Sequence, residues 1–181
     1  MTKPMTKLRI IATYGLISAV IVVAGMQAAM HLATDGDATG MALGYLNMLV
    51  ALSLVFVGIK RYRDEAQGGV IRFGTALLVG AGIAAVACIG YVLGWEAYLA
   101  ATGYDFMDRF SERYLAGLAR NGATAAEIEA ARASMQGYLE AYRNPLARMG
   151  MTLMEIAPVA IIVTLVSAAL LRNPRLLPAR R

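Results

Sequence analysis

Residues 41–95 read MALGYLNMLVALSLVFVGIKRYRDEAQGGVIRFGTALLVGAGIAAVACIGYVLGW, and this stretch decides the fold. Two apolar runs, Met41 to Ile59 and Phe73 to Trp95, flank a short segment that holds Lys60, Arg61, Arg63, Asp64, Glu65 and Arg72. A bilayer core of about 30 Å takes about 20 helical residues at a rise of about 1.5 Å each, so each run is long enough to cross it. The chain is expected to cross the membrane, turn in a basic segment and cross back.

Outward from this pair, Ile10 to Met30 and Met151 to Leu171 meet the same length requirement. Glu155 and Pro158 fall inside the last run, where one charge near an end and one proline are tolerated. The four runs explain a composition of 59% hydrophobic and 16% charged residues in 181, which excludes an ordinary soluble domain. The expected fold class is an all-α membrane protein, a single membrane domain over 1–181 with four transmembrane helices. The basic start and small residues of the first run resemble a secretory signal, but its apolar part is longer than the usual signal core of about 7 to 15 residues, so it is expected to remain as a span.

Orientation follows from the basic flanks, because Lys and Arg in short segments resist translocation. Lys3, Lys7 and Arg9 precede the first run, Lys60, Arg61, Arg63 and Arg72 separate the second from the third, and Arg172, Arg175, Arg180 and Arg181 follow the fourth. Asp35 and Asp37 lie in the opposite loop. Both termini are therefore expected in the cytoplasm. This placement at the ends of apolar runs, rather than on one polar face, also explains the net charge of +5 without nucleic acid as a partner. The single cysteine, Cys88, permits no intrachain disulfide, no CxxC pair and no thiolate-rich metal site, and is expected to pack as a small residue.

Between Glu96 and Gly150 the chain carries seven acids and six arginines and must meet water. Met107, Phe110, Tyr114 and Leu118 share one helical face, Asn121-Gly122 breaks that helix, and Thr124 with Glu127 forms a capping box for a second one. The second helix carries the stripe Ile128, Ala131, Met135, Tyr138 and Tyr142. Asn144-Pro145 then caps a fourth membrane helix that begins several residues before the lipid. The segment 96–150 is thus expected to form an extracytoplasmic amphipathic helical hairpin between the third and fourth spans. Its stripes either pack on each other or on the membrane surface, or they form a groove for a partner in the envelope. Gly40 with Gly44, Gly90 with Gly94, and the series Ala76, Gly80, Ala84 and Cys88 predict close helix packing, within the bundle or in a homo-oligomer. Trp95 and Tyr98 suit the outer headgroup belt.

The run from Tyr45 through Lys60-Arg61-Tyr62-Arg63-Asp64-Glu65, followed by Gly68-Gly69-Val70-Ile71-Arg72-Phe73-Gly74 and later by Asn144-Pro145 and Glu155-Ile156-Ala157-Pro158, resembles the domain-of-unknown-function family 4199 of bacterial membrane proteins. The resemblance covers nearly the whole chain. It implies a small multispanning protein of the bacterial envelope and no assigned activity.

Two groups of residues are candidates for binding. Lys60, Arg61, Arg63 and Arg72 lie at headgroup level, where each cation attracts anionic lipid by about 1 kcal/mol, and the same residues also serve simply to set topology. Gln27, His31, Asn47, Glu96 and Glu155 all fall in the outer half of the membrane or at its boundary, and together they would form an outward-facing polar pocket. Each also has a plainer reading, as a helix-end residue in reach of water or as a bond to a neighbouring helix. The sequence lacks GxxxxGK[ST] and HExxH, so no catalytic residue, metal or cofactor is assigned. Three functions follow in order: a noncatalytic envelope protein that binds a partner or supports a membrane complex, a small transporter or permeation subunit using the pocket, and a lipid-acting enzyme.

Overall fold

A computed structural model describes residues 6–32 and 38–179 as six helices without a strand. They are α1 (Lys7–Leu32), α2 (Ala38–Ala66), α3 (Phe73–Ala101), α4 (Phe106–Arg120), α5 (Ala125–Arg143) and α6 (Pro145–Leu171). Lys3, Asp35, Asp37, Arg180, Arg181 and the side chain of His31 lie outside the described residues. Four helices, α1, α2, α3 and α6, are long and apolar enough to cross a membrane. With α4 and α5 as a hairpin between the third and fourth of them, the architecture is the one expected.

The helices overrun the apolar runs. α2 continues through the basic segment, because Lys60 Nζ meets Asp64 Oδ2 at 2.5 Å and Arg61 Nε meets Glu65 Oε1 at 2.6 Å, the one-turn spacing that supports a helix. It stops at Gly68 and Gly69, with φ of +63° and +89°, a backbone only glycine adopts without strain. α6 starts where the sequence places it: Asn144 Oδ1 accepts from the amides of Leu146 and Ala147, and Pro145 opens the first turn.

Packing follows a diamond. α2 and α3 pack together, and α1 and α6 each pack against both of them from opposite sides. Small residues on α3 allow this approach. A Cβ on Gly90 would lie 2.4 Å from Ala19 Cβ, and one on Gly94 would lie 2.5 Å from Val23, so this pair serves the α1 interface. On another face Gly80 lies against Ile59, Val55 and Thr164, with Ala76, Ala84 and Cys88 buried beside it. The α3 stripe is therefore consumed inside the bundle. Gly44 has no neighbour within 4 Å of a Cβ, so its motif is not used there. Leu16, Val20, Leu78, Ile89, Leu93, Ile161 and Ile162 point outward, as helices apolar on all sides do in lipid.

One end of the bundle carries the start of α1, the α2–α3 turn and the end of α6; it is called the basic end here. The hairpin end lies opposite. In the hairpin, α4 is rotated from the face the periodicity predicts, with Met107 and Leu118 of the expected stripe half-buried. Ser111 and Leu115 are its buried residues, whereas Phe110 and Tyr114 are exposed. Small Ser111 lets α5 approach, its hydroxyl 3.7 Å from Met135 Sδ, where Phe110 would hold the helices apart. On α5 the stripe Ile128, Ala131, Met135 and Tyr142 is half-buried as expected, but Leu139 replaces Tyr138, which is 66% exposed. The capping box forms, with the Glu127 amide donating to Thr124 Oγ1 and the Thr124 amide to Glu127 Oε2.

Candidate functional site

The hairpin is anchored by one partly buried cluster. Arg148, in the first turns of α6, is 5% exposed and meets Glu96 near the end of α3 in a bidentate pair, Nε to Oε1 at 2.7 Å and Nη2 to Oε2 at 2.6 Å. Its third nitrogen, Nη1, donates to the carbonyl of Tyr142 at 3.0 Å. The rings of Tyr104 and Tyr142 cover the guanidinium, at 4.9 and 5.7 Å. Tyr104 reaches this position from a left-handed backbone, φ 60°, directly after Gly103 at φ 79°. Such a conformation costs about 1–3 kcal/mol for a bulky residue and persists only where its surroundings enforce it. Trp95 Nε1 donates to Tyr142 Oη at 2.6 Å, and burial pushes the Tyr142 phenol up, so it stays protonated. The three residues Trp95, Tyr142 and Arg148 thus tie α3, α5 and α6 into one unit.

Beneath this cluster lies a cleft of about 290 Å³. Met26 and Met30 of α1, Tyr91 and Trp95 of α3, and Met151, Thr152 and Glu155 of α6 form its walls, and Phe106, Met107 and Tyr142 roof it. Tyr91 Oη donates to Glu155 Oε2 at 3.1 Å.

Of the five polar residues expected to share an outer pocket, the four whose side chains are described separate into different environments. Glu155 alone of these four lines the cleft. Glu96 is bound to Arg148. Asn47 sits between α1 and α2, where Nδ2 donates to the Val22 carbonyl at 2.9 Å and the side chain rests on Gly25, whose missing Cβ would lie 1.9 Å from Asn47 Oδ1. Gln27 Oε1 is buried without a hydrogen-bond partner among the described residues. The His31 side chain, as noted, lies outside them.

The basic group also divides. Lys60 and Arg61 pair with Asp64 and Glu65, and Arg61 Nη1 reaches Tyr14 Oη at 3.3 Å. Arg72 is exposed at the start of α3. Arg63 is 0% exposed and turned inward, donating to the carbonyls of Leu171 (3.4 Å), Leu176 (3.0 Å) and Leu177 (2.5 Å) and to Asp64 Oδ1 (2.8 Å). Among the described residues no three His, Cys, Asp or Glu side chains gather to hold a metal.

Sequence reasoning missed Arg148, Tyr91 and the methionines. The signal for Arg148 was present: it is the one arginine inside a helix whose other charge is Glu155, and Glu96 lies at the matching height of α3. For the methionines, Met26-Met30 and Met151-Glu155 are one-turn pairs whose common target only the fold reveals.

A family model described as "Protein of unknown function (DUF4199)" matches residues 13–173. No curated protein and no solved structure matches the chain.

Proposed function

Because the chain belongs to the DUF4199 family, whose description assigns no activity, we propose its role from the geometry: a noncatalytic membrane protein whose hairpin engages a protein partner. The observation that carries this reading is the anchored but uncovered hairpin. The Glu96–Arg148 cluster fixes its base, while Phe110, Tyr114 and Tyr138 stand 39%, 47% and 66% exposed and α5 buries no residue fully. Phe110 and Tyr114 stack with centroids 6.5 Å apart, continuing a column that begins at Trp95 and Phe106. Aromatic residues beside an arginine, here Arg120 along the same groove, are what interfaces favour, and they suit an apolar partner surface rimmed by a carboxylate.

The location that goes with this reading is the bacterial inner membrane, with termini and basic turn in the cytoplasm and the hairpin outside. Its support is that Lys7, Arg9, Lys60, Arg61, Arg72, Arg172 and Arg175 all belong to the basic end.

Co-purification of the full chain in mild detergent tests the role. Phe110→Ala/Tyr114→Ala is expected to lose a specific partner that wild type retains, with unchanged elution of the protein itself. A partner set identical in both removes the reading. A second reading, a small transporter or permeation subunit, rests on Glu155 in the cleft, and unchanged substrate-dependent flux in Glu155→Gln proteoliposomes would exclude it.

A further inference from the structure

Three helices each aim a one-turn pair into the cleft: Met26 and Met30, Tyr91 and Trp95, Met151 and Glu155. Residues four apart share a helix face, so these six side chains converge on a single space. Five of them are apolar or aromatic. The sixth is a carboxylate whose one hydrogen bond among the described residues comes from the neutral Tyr91 hydroxyl. The contrast with Glu96 is direct, since that carboxylate holds two nitrogens of Arg148.

Depth sharpens the point. Tyr91 lies 18 residues beyond Phe73, the first residue of α3, or about 27 Å at the helical rise, so Glu155 beside it sits near the edge of a hydrocarbon core of about 30 Å. At that boundary an anion costs less than at the bilayer centre, but a counter-ion still stabilises it, and acids within spans mark ligand or proton pathways. A hard inorganic cation would need several free oxygen ligands, whereas this cleft offers one carboxylate, the hydroxyls of Tyr91, Tyr142 and Thr152, each already hydrogen-bonded, thioethers and ring faces. Aromatic faces attract weakly hydrated organic cations, and methionines adapt to irregular apolar substituents.

We propose that the cleft binds a lipophilic organic cation, with its charge on Glu155 and its substituents against Tyr91, Trp95 and the methionines. The cation is either a free amphipathic onium compound or the ammonium headgroup of a membrane lipid. The site is distinct from the exposed face of α4, so the inference does not depend on partner docking. Binding also does not require passage across the membrane: absent flux leaves it standing, whereas absent binding removes it and transport together.

Trp95 is the only tryptophan in the chain, so its fluorescence reports on the cleft and on the Tyr142 bond at its roof. The full chain in a neutral maltoside detergent is titrated with tetraphenylphosphonium, and in parallel with tetraphenylborate, which has the same shape and the opposite charge. The expected result is a saturable change with the phosphonium and none with the borate, weakened by about tenfold or more in Glu155→Gln, the loss of one charge-assisted contact. Equal responses to both ions in wild type overturn the proposal without any variant, and so does unchanged phosphonium affinity in a folded Glu155→Gln. In nanodiscs of phosphatidylglycerol, adding phosphatidylethanolamine weakens phosphonium binding if the lipid headgroup is the occupant and leaves it unchanged if the ligand is a free cation.

Discussion

At the basic end Arg63 spends its guanidinium on three backbone carbonyls at and beyond the end of α6, whereas at the hairpin end Arg148 spends its own on a carboxylate near the end of α3. The difference follows from helix dipoles. Arg63 lies near the C-terminus of α2 and beside the C-terminus of α6, two places where the partial charge is negative and a cation is favoured. Arg148 lies in the first turns of α6, where the partial charge is positive, and Glu96 lies near the end of α3, where it is negative. Each is on the disfavoured end of its own helix, and each compensates the other. The basic end is therefore stabilised by the backbone itself, and the hairpin end by one ion pair that opposes it.

Breaking the pair gives the largest expected effect. Arg148→Met strands the Glu96 carboxylate in a buried site and is expected to cost about 3–5 kcal/mol, read as a lower midpoint in heat or SDS unfolding. The double variant Glu96→Leu/Arg148→Met is expected to recover most of that loss, because two apolar residues leave no uncompensated charge. Failure to recover would mean that the rings of Tyr104 and Tyr142, not the pair, supply the stability.

Arg63→Met comes next, at about 1.5–3 kcal/mol for charge-assisted bonds whose carbonyl partners can turn to water. Its signature is local: trypsin cuts faster at Arg175, while Trp95 fluorescence stays unchanged. A general loss of the bundle would contradict the assignment of Arg63 to the tail.

Smaller still is Thr124→Ala at the hairpin tip, which removes the cap and is expected to raise amide exchange about fivefold over the first turn of α5 without touching either arginine. Acid probes the same turn. The Thr124 amide and hydroxyl hold the Glu127 carboxyl below its ordinary value of 4.5. A depressed value means that the contribution is present above 4.5 and is lost as pH falls through the lower, folded value. The protection factor of that turn, exchange corrected for the intrinsic pH dependence of an amide, should therefore fall only below that range and stay constant between pH 5 and 8.

The four membrane helices were legible because each needs only length and hydropathy, and the turn at Gly68-Gly69 because only glycine accepts both backbones. The end of α2 was not, since the apolar run stops at Ile59 while the charge pairs carry the helix onward. For α4, periodicity found an amphipathic helix but favoured its bulky residues, and packing chose the face where Ser111 admits its neighbour. In the site, Glu155 was legible as an acid inside an apolar run. That Glu96 is already satisfied was not, and for Asn47 a bond to a neighbouring helix was one of two readings, because the partners come from other helices: Arg148 lies 52 positions away and Val22 25.

The clasp made by Arg63 also has a timetable. Its first carbonyl partner, Leu171, is 108 residues further along the chain. At a synthesis rate of about 5–20 residues per second, α2 exists for roughly 5–20 s before that partner is made. During that interval Asp64 is the only one of its hydrogen-bond partners in the finished fold that has been made, so the arrival of α6 is the event that completes the site of a charge α2 has carried from the start.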